Sequence, residues 1–309
     1  MQAPASGTLA VKKKLIIMGR SGAGKTSMRS LIFSNYTAND TRRLGATIDV
    51  EHSTVQFMGD LNLNIWDCGG QNKYLDNYLN EQKENIFGNV EVLIYVFDLE
   101  TTSRESENHL YDECLESLSR YSRDAKVYCL VHKMDKISDV KQKEQTIDNY
   151  RRALARRSEL FKPEVFGTSI WDHTLYFAWS QIVYKLVPNM ATIESHLNNF
   201  RRLTEASEVI LFERATFLLV CHTTNNPKVV LNKYMSISQC VKMYRNTCSQ
   251  VQLPFQSVEI RNKHYTMFIE PFTKSTYIMV ITTDNEVEPA LTKANIEAAC
   301  KHFSKLAEL

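Results

Sequence analysis

The sequence predicts an α/β domain on a doubly wound, mostly parallel sheet over residues 12–188, then an α+β domain over 189–309. Three observations carry this. Continuous apolar runs alternate with helix-like segments as far as residue 187, the pattern of strands buried on both faces and joined by crossover helices. A glycine-rich turn separates the first strand from the first helix. After Val187-Pro188-Asn189 the order changes to helix, two strands, helix, three strands, helix, which suits an antiparallel sheet.

Residues 1–11 form a small polar tail, expected to be disordered. Leu15-Ile16-Ile17-Met18 is the first buried strand, and Thr26–Phe33 the first helix. The stretch from Asn39 to Thr47 is polar and fits neither period. Val55-Gln56-Phe57 and Leu61–Asp67 alternate with period two around Gly59-Asp60, which predicts a hairpin. Val92–Asp98 and Lys126–Val131 are central strands, and 164–167 is a last short one. Helices are expected near 104–121, 141–159 and 171–187. Ile193, Leu197, Phe200 and Leu203 lie at helical spacing, followed by strands at 208–212 and 216–220. A helix with Ile237, Val241, Tyr244, Cys248 and Val251 on its apolar stripe comes next. Strands near 255–260, 265–270 and 276–282 and a helix over roughly 290–307 complete the chain.

Bulk properties are those of an ordinary globular protein, with room in 309 residues for two cores. A net charge of +2 gives no reason to expect nucleic acid as a partner. The run Arg151-Arg152-Ala153-Leu154-Ala155-Arg156-Arg157 is expected to be a solvated helix face. Seven scattered cysteines without a C-x-x-C predict neither a disulfide framework nor a zinc site, and small buried hydrophobes are their default role. No apolar stretch is long enough to span a bilayer, and no lipidation signal is present, so direct membrane insertion is not expected.

The chemistry concentrates in Gly19-Arg20-Ser21-Gly22-Ala23-Gly24-Lys25-Thr26, which fits G-x-x-x-x-G-K-[ST] between a strand and a helix. Such a loop aims consecutive N–H groups at one anion, and the helix terminus adds its positive dipole end. Lys25 would neutralise β- and γ-phosphate charge and Thr26 would offer its hydroxyl to Mg²⁺. Asp67-Cys68-Gly69-Gly70-Gln71 follows the alternating strand. Asp67 can hold Mg²⁺, Gly70 can give its N–H to a γ-phosphate, and Gln71 stands where a water-orienting glutamine is needed. In His132-Lys133-Met134-Asp135 the carboxylate can accept from the ring N–H and exocyclic amine of guanine, while the Lys133 stem covers the base. Backbone N–H groups of Thr168-Ser169-Ile170 could reach the guanine carbonyl oxygen.

Gly19–Thr26, Thr47, Asp67–Gln71, His132–Asp135 and Ser169–Ile170 fall in the order and strand context of the Ras-type GTPase motifs. The wording Arg42-Arg43-Leu44-Gly45-Ala46-Thr47-Ile48-Asp49-Val50, Trp66-Asp67-Cys68-Gly69-Gly70-Gln71 and Val131-His132-Lys133-Met134-Asp135 resembles the Rag/Gtr GTPases, in their RagA/RagB-like branch. The resemblance covers nearly the whole chain. It implies a Ras-like P-loop GTPase domain followed by a roadblock/longin-like dimerisation domain, with GTP or GDP and Mg²⁺ as ligands. It also implies a heterodimer with a RagC/RagD-like GTPase through the C-terminal domains. That heterodimer would signal amino-acid sufficiency to TOR complex 1. It would sit on the cytosolic face of the lysosome or vacuole, held by a Ragulator/EGO-like tether and served by a GAP and an exchange factor. Residue by residue, Ser21, Gly22, Gly24 and Lys25 would cradle phosphate, with Ser27 near the α-phosphate. Thr26 and Thr47 would ligate Mg²⁺ with Asp67 nearby, Thr41 would cover the nucleotide, and Gln71 would position water.

His132 departs from the asparagine usual among GTPases. Neutral imidazole can bridge two loops as donor and acceptor, whereas imidazolium only donates, so affinity is expected to fall as His132 protonates. The spacing of Arg42 and Arg43 from Thr47 is a poor match for an internal arginine finger, so slow, GAP-dependent turnover is expected. The rival readings are a pseudo-GTPase scaffold that never cycles and a P-loop kinase or ATPase. Asp135 speaks against the second, and Gln71 and Thr47 against the first.

Overall fold

The computed structural model describes residues 12–34, 36–47, 50–57, 61–71, 82–225, 232–283 and 288–307. The expected tail and the expected turn at Gly59-Asp60 lie outside the described residues. Two compact units divide the chain: Lys12–Val55 with Leu63–Ala178, and Gln56–Asn62 with the described part of Trp179–Leu309.

The first unit is built on a six-stranded sheet of β1 (Lys12–Met18), β2 (Val50–Gln56), β3 (Asn62–Cys68), β4 (Val90–Asp98), β5 (Lys126–His132) and β6 (Glu164–Thr168), in the order β2-β3-β1-β4-β5-β6. β1, β4, β5 and β6 pair in parallel. Their continuous apolar sequence follows from burial on both faces, and Leu93 to Phe97 of β4 are all fully buried. The helices are α1 (Lys25–Phe33), α2 (Lys83–Phe87), α3 (Arg104–Tyr121), α4 (Val140–Arg157) and α5 (Thr174–Tyr184), the last of which runs across the division after Ala178. Asp139 caps α4 by accepting from Gln142 N–H at 3.1 Å. On α4 Leu154 is buried while Arg151, Arg152, Arg156 and Arg157 are exposed, the solvated face expected of that run. Parallel register sets Asp98 beside His132 and His132 beside Thr168. Three functional-looking residues thus share one row at the carboxyl ends of adjacent strands, where open α/β sheets bind ligands.

The second unit carries α6 (Met190–Leu203), β7 (Glu208–Glu213), β8 (Leu219–Thr224), α7 (Asn232–Gln250), β9 (Val258–Arg261), β10 (Thr266–Thr273), β11 (Thr276–Thr282) and α8 (Pro289–Ala307). Its five strands pair antiparallel in the order β8-β7-β11-β10-β9. The predicted α/β and α+β classes and the element order are those observed.

Four details differ from the expectations. β8 starts at Leu219 rather than 216, because the Glu213 carboxylate builds a turn first. It accepts from Ala215 N–H at 2.8 Å, Thr216 N–H at 2.7 Å and the Thr216 hydroxyl at 2.6 Å, and Phe217 takes a left-handed φ of 57°. On α7 the buried face is Tyr234, Met235, Ser238, Val241 and Lys242, whereas Tyr244 is 58% exposed and Val251, just past the helix end, 60%. Polar anchors set that rotation: the Tyr234 hydroxyl donates to Glu208 Oε2 at 2.5 Å and the Ser238 hydroxyl to Phe217 O. Leu203, the last residue of α6, is 84% exposed, while Ile193, Leu197 and Phe200 are buried. Of the cysteines, Cys68, Cys114, Cys129 and Cys221 are buried as expected, but Cys240 is exposed and Cys248 and Cys300 are half-buried; all seven are free thiols.

Leu197→Ala should cost about 2–5 kcal/mol through the cavity it leaves. Leu203→Lys should stay within about 0.5 kcal/mol of wild type. Urea unfolding of both variants measures the contrast.

Candidate nucleotide site

The loop between β1 and α1 closes with Gly24 at the helix N-cap in a left-handed conformation (φ 91°), with no side chain capping the first turn and no acidic residue in it. The helix N-terminus therefore keeps N–H donors and a positive dipole end for an anion. Ser21 and Gly22 are exposed at the rim, and Thr26 and Ser27 are half-buried on the first turn. Lys25 is buried under the loop, its Nζ donating to Gly19 O at 2.8 Å and Arg20 O at 2.9 Å. Burial pulls its pKa down to about 8, opposed by the Asp67 charge.

Three groups on the metal side converge. The Thr26 and Thr47 Oγ1 atoms are hydrogen-bonded at 2.5 Å, although 21 positions separate them. Asp67, at the end of β3, is 0% exposed, and burial raises its pKa against the nearby Thr26 hydroxyl and Arg29. Its Oδ2 accepts from Arg29 Nε at 3.1 Å, while Oδ1 is buried without a hydrogen-bond partner. Two hydroxyls beside an orphaned carboxylate oxygen form an all-oxygen donor set that fits a hard divalent cation such as Mg²⁺.

The segment after β3 packs onto the phosphate loop. Ser21 N–H donates to Gly70 O at 2.9 Å, and a Cβ on Gly70 would lie 2.3 Å from Arg20 C and Ser21 N. In this arrangement the Gly70 carbonyl faces the phosphate loop. Gln71 follows, half-buried. Thr41 lies in a 3₁₀ turn over Asp40–Arg43, buried, with its hydroxyl donating to Ala38 O at 2.7 Å. Arg42 of that turn places its guanidinium 5.2 Å from the ring of Trp171.

On the opposite side His132 is buried, with Nδ1 3.0 Å from the Thr168 hydroxyl. A Cβ on Gly24 would meet its Cδ2 at 2.7 Å and Nε2 at 3.0 Å, so the imidazole packs against the phosphate loop while its Nδ1 engages Thr168. Lys133 has φ 67° and anchors Nζ on Asp98 at 2.7 Å and Glu100 at 3.4 Å. Asp135 is exposed, and its Oδ1 accepts from the Ser169 hydroxyl at 2.6 Å. Ser169 is buried, its N–H held by Thr174 Oγ1 at 3.0 Å, and Ile170 follows half-buried. The sequence reading missed Arg29, the bond between the Thr168 hydroxyl and His132, and the Asp98/Glu100 anchor. Only Arg29 carried a signal, as a cation three residues after Thr26 on the same helix face.

Fold and site together define a P-loop protein of the guanine-nucleotide-binding class. The model for the Gtr1/RagA G protein conserved region matches residues 14–241. Ras-related GTP-binding protein A of Dictyostelium discoideum is 48% identical over 96% of this chain and 98% of that protein. Ras-related GTP-binding protein B of Rattus norvegicus is 46% identical over 96% and 87%. GTP-binding protein gtr1 of Schizosaccharomyces pombe is 47% identical over 94% of each. Ras-related GTP-binding protein C of Homo sapiens is more distant, 27% identical over 72% of this chain and 56% of that one. The chain belongs to the Gtr1/RagA family of G proteins, and is a GTP-binding, Rag-type GTPase.

Burial pulls the His132 pKa down to about 4, which moves the expected loss of affinity on His132 protonation well below the ordinary histidine range. Nucleotide dissociation should be flat between about pH 5.5 and 7.5. Folding stability should still respond. The native state binds fewer protons than the unfolded one between the unfolded value of 6.5 and the folded value of about 4. Stability is therefore lost as pH falls through that window, by on the order of 3 kcal/mol from this group. Urea midpoints at several pH values should fall less steeply for His132→Asn than for wild type.

Proposed function

We propose that the chain is a slow guanine-nucleotide switch and one half of a Rag-type heterodimer that signals amino-acid sufficiency to TOR complex 1. The observation that best supports a guanine site is Asp135, exposed and oriented by Ser169 beside the His132 bridge. Adenine cannot supply its two donors to that carboxylate. Ser21, Gly22, Gly24, Lys25 and Ser27 hold phosphates, and Lys133, Ser169 and Ile170 complete the base pocket. Thr41 belongs to the loop over the nucleotide. Thr26, Thr47 and Asp67 hold Mg²⁺, which supplies charge neutralisation at the β- and γ-phosphate oxygens when bound. Gln71 orients the attacking water. Gly70 gives its N–H to a γ-phosphate while its carbonyl, in the next peptide unit, accepts from Ser21 N–H, which ties the segment after β3 to the phosphate loop.

Turnover is slow because Arg42 and Arg43 are poorly spaced from Thr47 to serve as a finger in cis. Arg42 lies over Trp171, and a GAP supplying a finger in trans is worth about 10³–10⁵ in rate. Residues 12–188 are the nucleotide-binding domain and 189–309 the dimerisation domain. Pairing with a RagC/RagD-like partner draws support from the second unit, where Met243, Tyr244, Val251 and Leu253 are each more than half exposed. The edge strand β9 there is open along most of its length. Among the described residues no helix is long and apolar enough to cross a membrane. Residence at the lysosome or vacuole then depends on a Ragulator/EGO-like tether.

Displacement of fluorescent GDP in Mg²⁺ should be strong with GTP and weak with ATP, and the preference should vanish in Asp135→Asn. Equal displacement by ATP from wild type would contradict the reading. Tyr244→Asp should reduce capture of the RagC/RagD-like chain at least tenfold in a co-purification titration while leaving GDP binding unchanged.

A further inference from the structure

We propose that Arg29 is a positioning residue that sets the Mg²⁺ affinity of the nucleotide site and couples it to the loop carrying Thr47. The proposal rests on the reading that Thr26, Thr47 and Asp67 hold the cation. Arg29 stands three residues after Thr26, on the same face of α1. Its side chain is 16% exposed, and its guanidinium addresses two carboxylates at once. Nε donates to Asp67 Oδ2 at 3.1 Å, and Nη2 donates to Glu51 Oε2.

These two contacts have different consequences. Asp67 is fully buried, so a carboxylate with neither oxygen fixed would have a free torsion and no counter-charge. Engaging Oδ2 alone fixes the plane and leaves Oδ1 unpartnered beside the Thr26 hydroxyl. That is the arrangement of an outer-shell donor orienting a metal-directed carboxylate. Glu51 is the second residue of β2, four positions after Thr47. The same guanidinium therefore ties Asp67 to the strand that emerges from the Thr47 loop. A planar fork can hold both carboxylates, and an ammonium cannot do so in the same geometry.

The test is the dissociation rate of fluorescent GDP from the full chain, measured from EDTA through millimolar Mg²⁺. In wild type Mg²⁺ should slow dissociation along a saturable curve. Arg29→Gln should move the half-effect concentration up by on the order of tenfold or more, the usual scale for an outer-shell partner. Its dissociation rate in EDTA should stay at the wild-type value, which a merely structural role would not produce. Arg29→Lys should recover part of the shift. Glu51→Gln should leave the GDP curve in place and speed loss of a non-hydrolysable GTP analogue, because only that state uses Thr47. An unmoved midpoint in Arg29→Gln, or an equal acceleration at every Mg²⁺ concentration including EDTA, would overturn the inference. A wild-type rate indifferent to Mg²⁺ would instead overturn the metal reading beneath it. Should Arg29→Gln not fold, Arg29→Lys carries the same test, and a wild-type midpoint in it overturns the proposal.

Discussion

The arrangement depends on how closely the phosphate loop is gripped from two sides. Gly70 presses its backbone on Arg20 and Ser21, and His132 presses its ring on Gly24. Neither glycine has room for a Cβ, and Gly24 also needs a φ of 91°. Packing this tight transmits displacement rather than absorbing it. A ligand that engages the loop therefore acts on the segment after β3 and on the base loop together.

Strand register supplies the rigidity for one half of that grip. Asp98, His132 and Thr168 occupy one row of three parallel strands. The row fixes His132 through Thr168 and, through Asp98, anchors the neighbouring Lys133. A buried neutral imidazole therefore joins β6, through Thr168, to the phosphate loop, against which it packs. Burial rather than a counter-charge keeps it neutral, since desolvation is the largest influence on its pKa. The other half of the grip, around Gly70, Gln71 and Thr47, is loop backbone.

Much of this was legible in sequence because it is periodic or local. Continuous apolar runs marked β4 and β5, and the phosphate loop, Asp67–Gln71 and His132–Asp135 each carried their chemistry in adjacent residues. Less legible was whatever depends on a long-range partner. The late start of β8 comes from the Glu213 side chain, which competes with the strand for Ala215 and Thr216 N–H groups. The rotated face of α7 comes from Tyr234 reaching Glu208, a bond without periodicity. The depressed pKa of His132 needs its burial, and the role of Arg29 needs Glu51 and Asp67 to meet in space. Tyr244 and Val251 fit an apolar stripe by spacing, yet the fold leaves them outside. Their pattern reports an association surface as readily as a core.

The central claim is that five separated segments form one nucleotide site. Amide hydrogen exchange on the full chain, with and without GDP and Mg²⁺, tests it most directly. Joint protection of 19–27, 41–47, 67–71, 132–136 and 168–171 on ligand addition is the result this account predicts. Protection confined to 19–27, with 132–136 and 168–171 exchanging as before, would contradict it, because the base would then not be held where Asp135 and Ser169 stand.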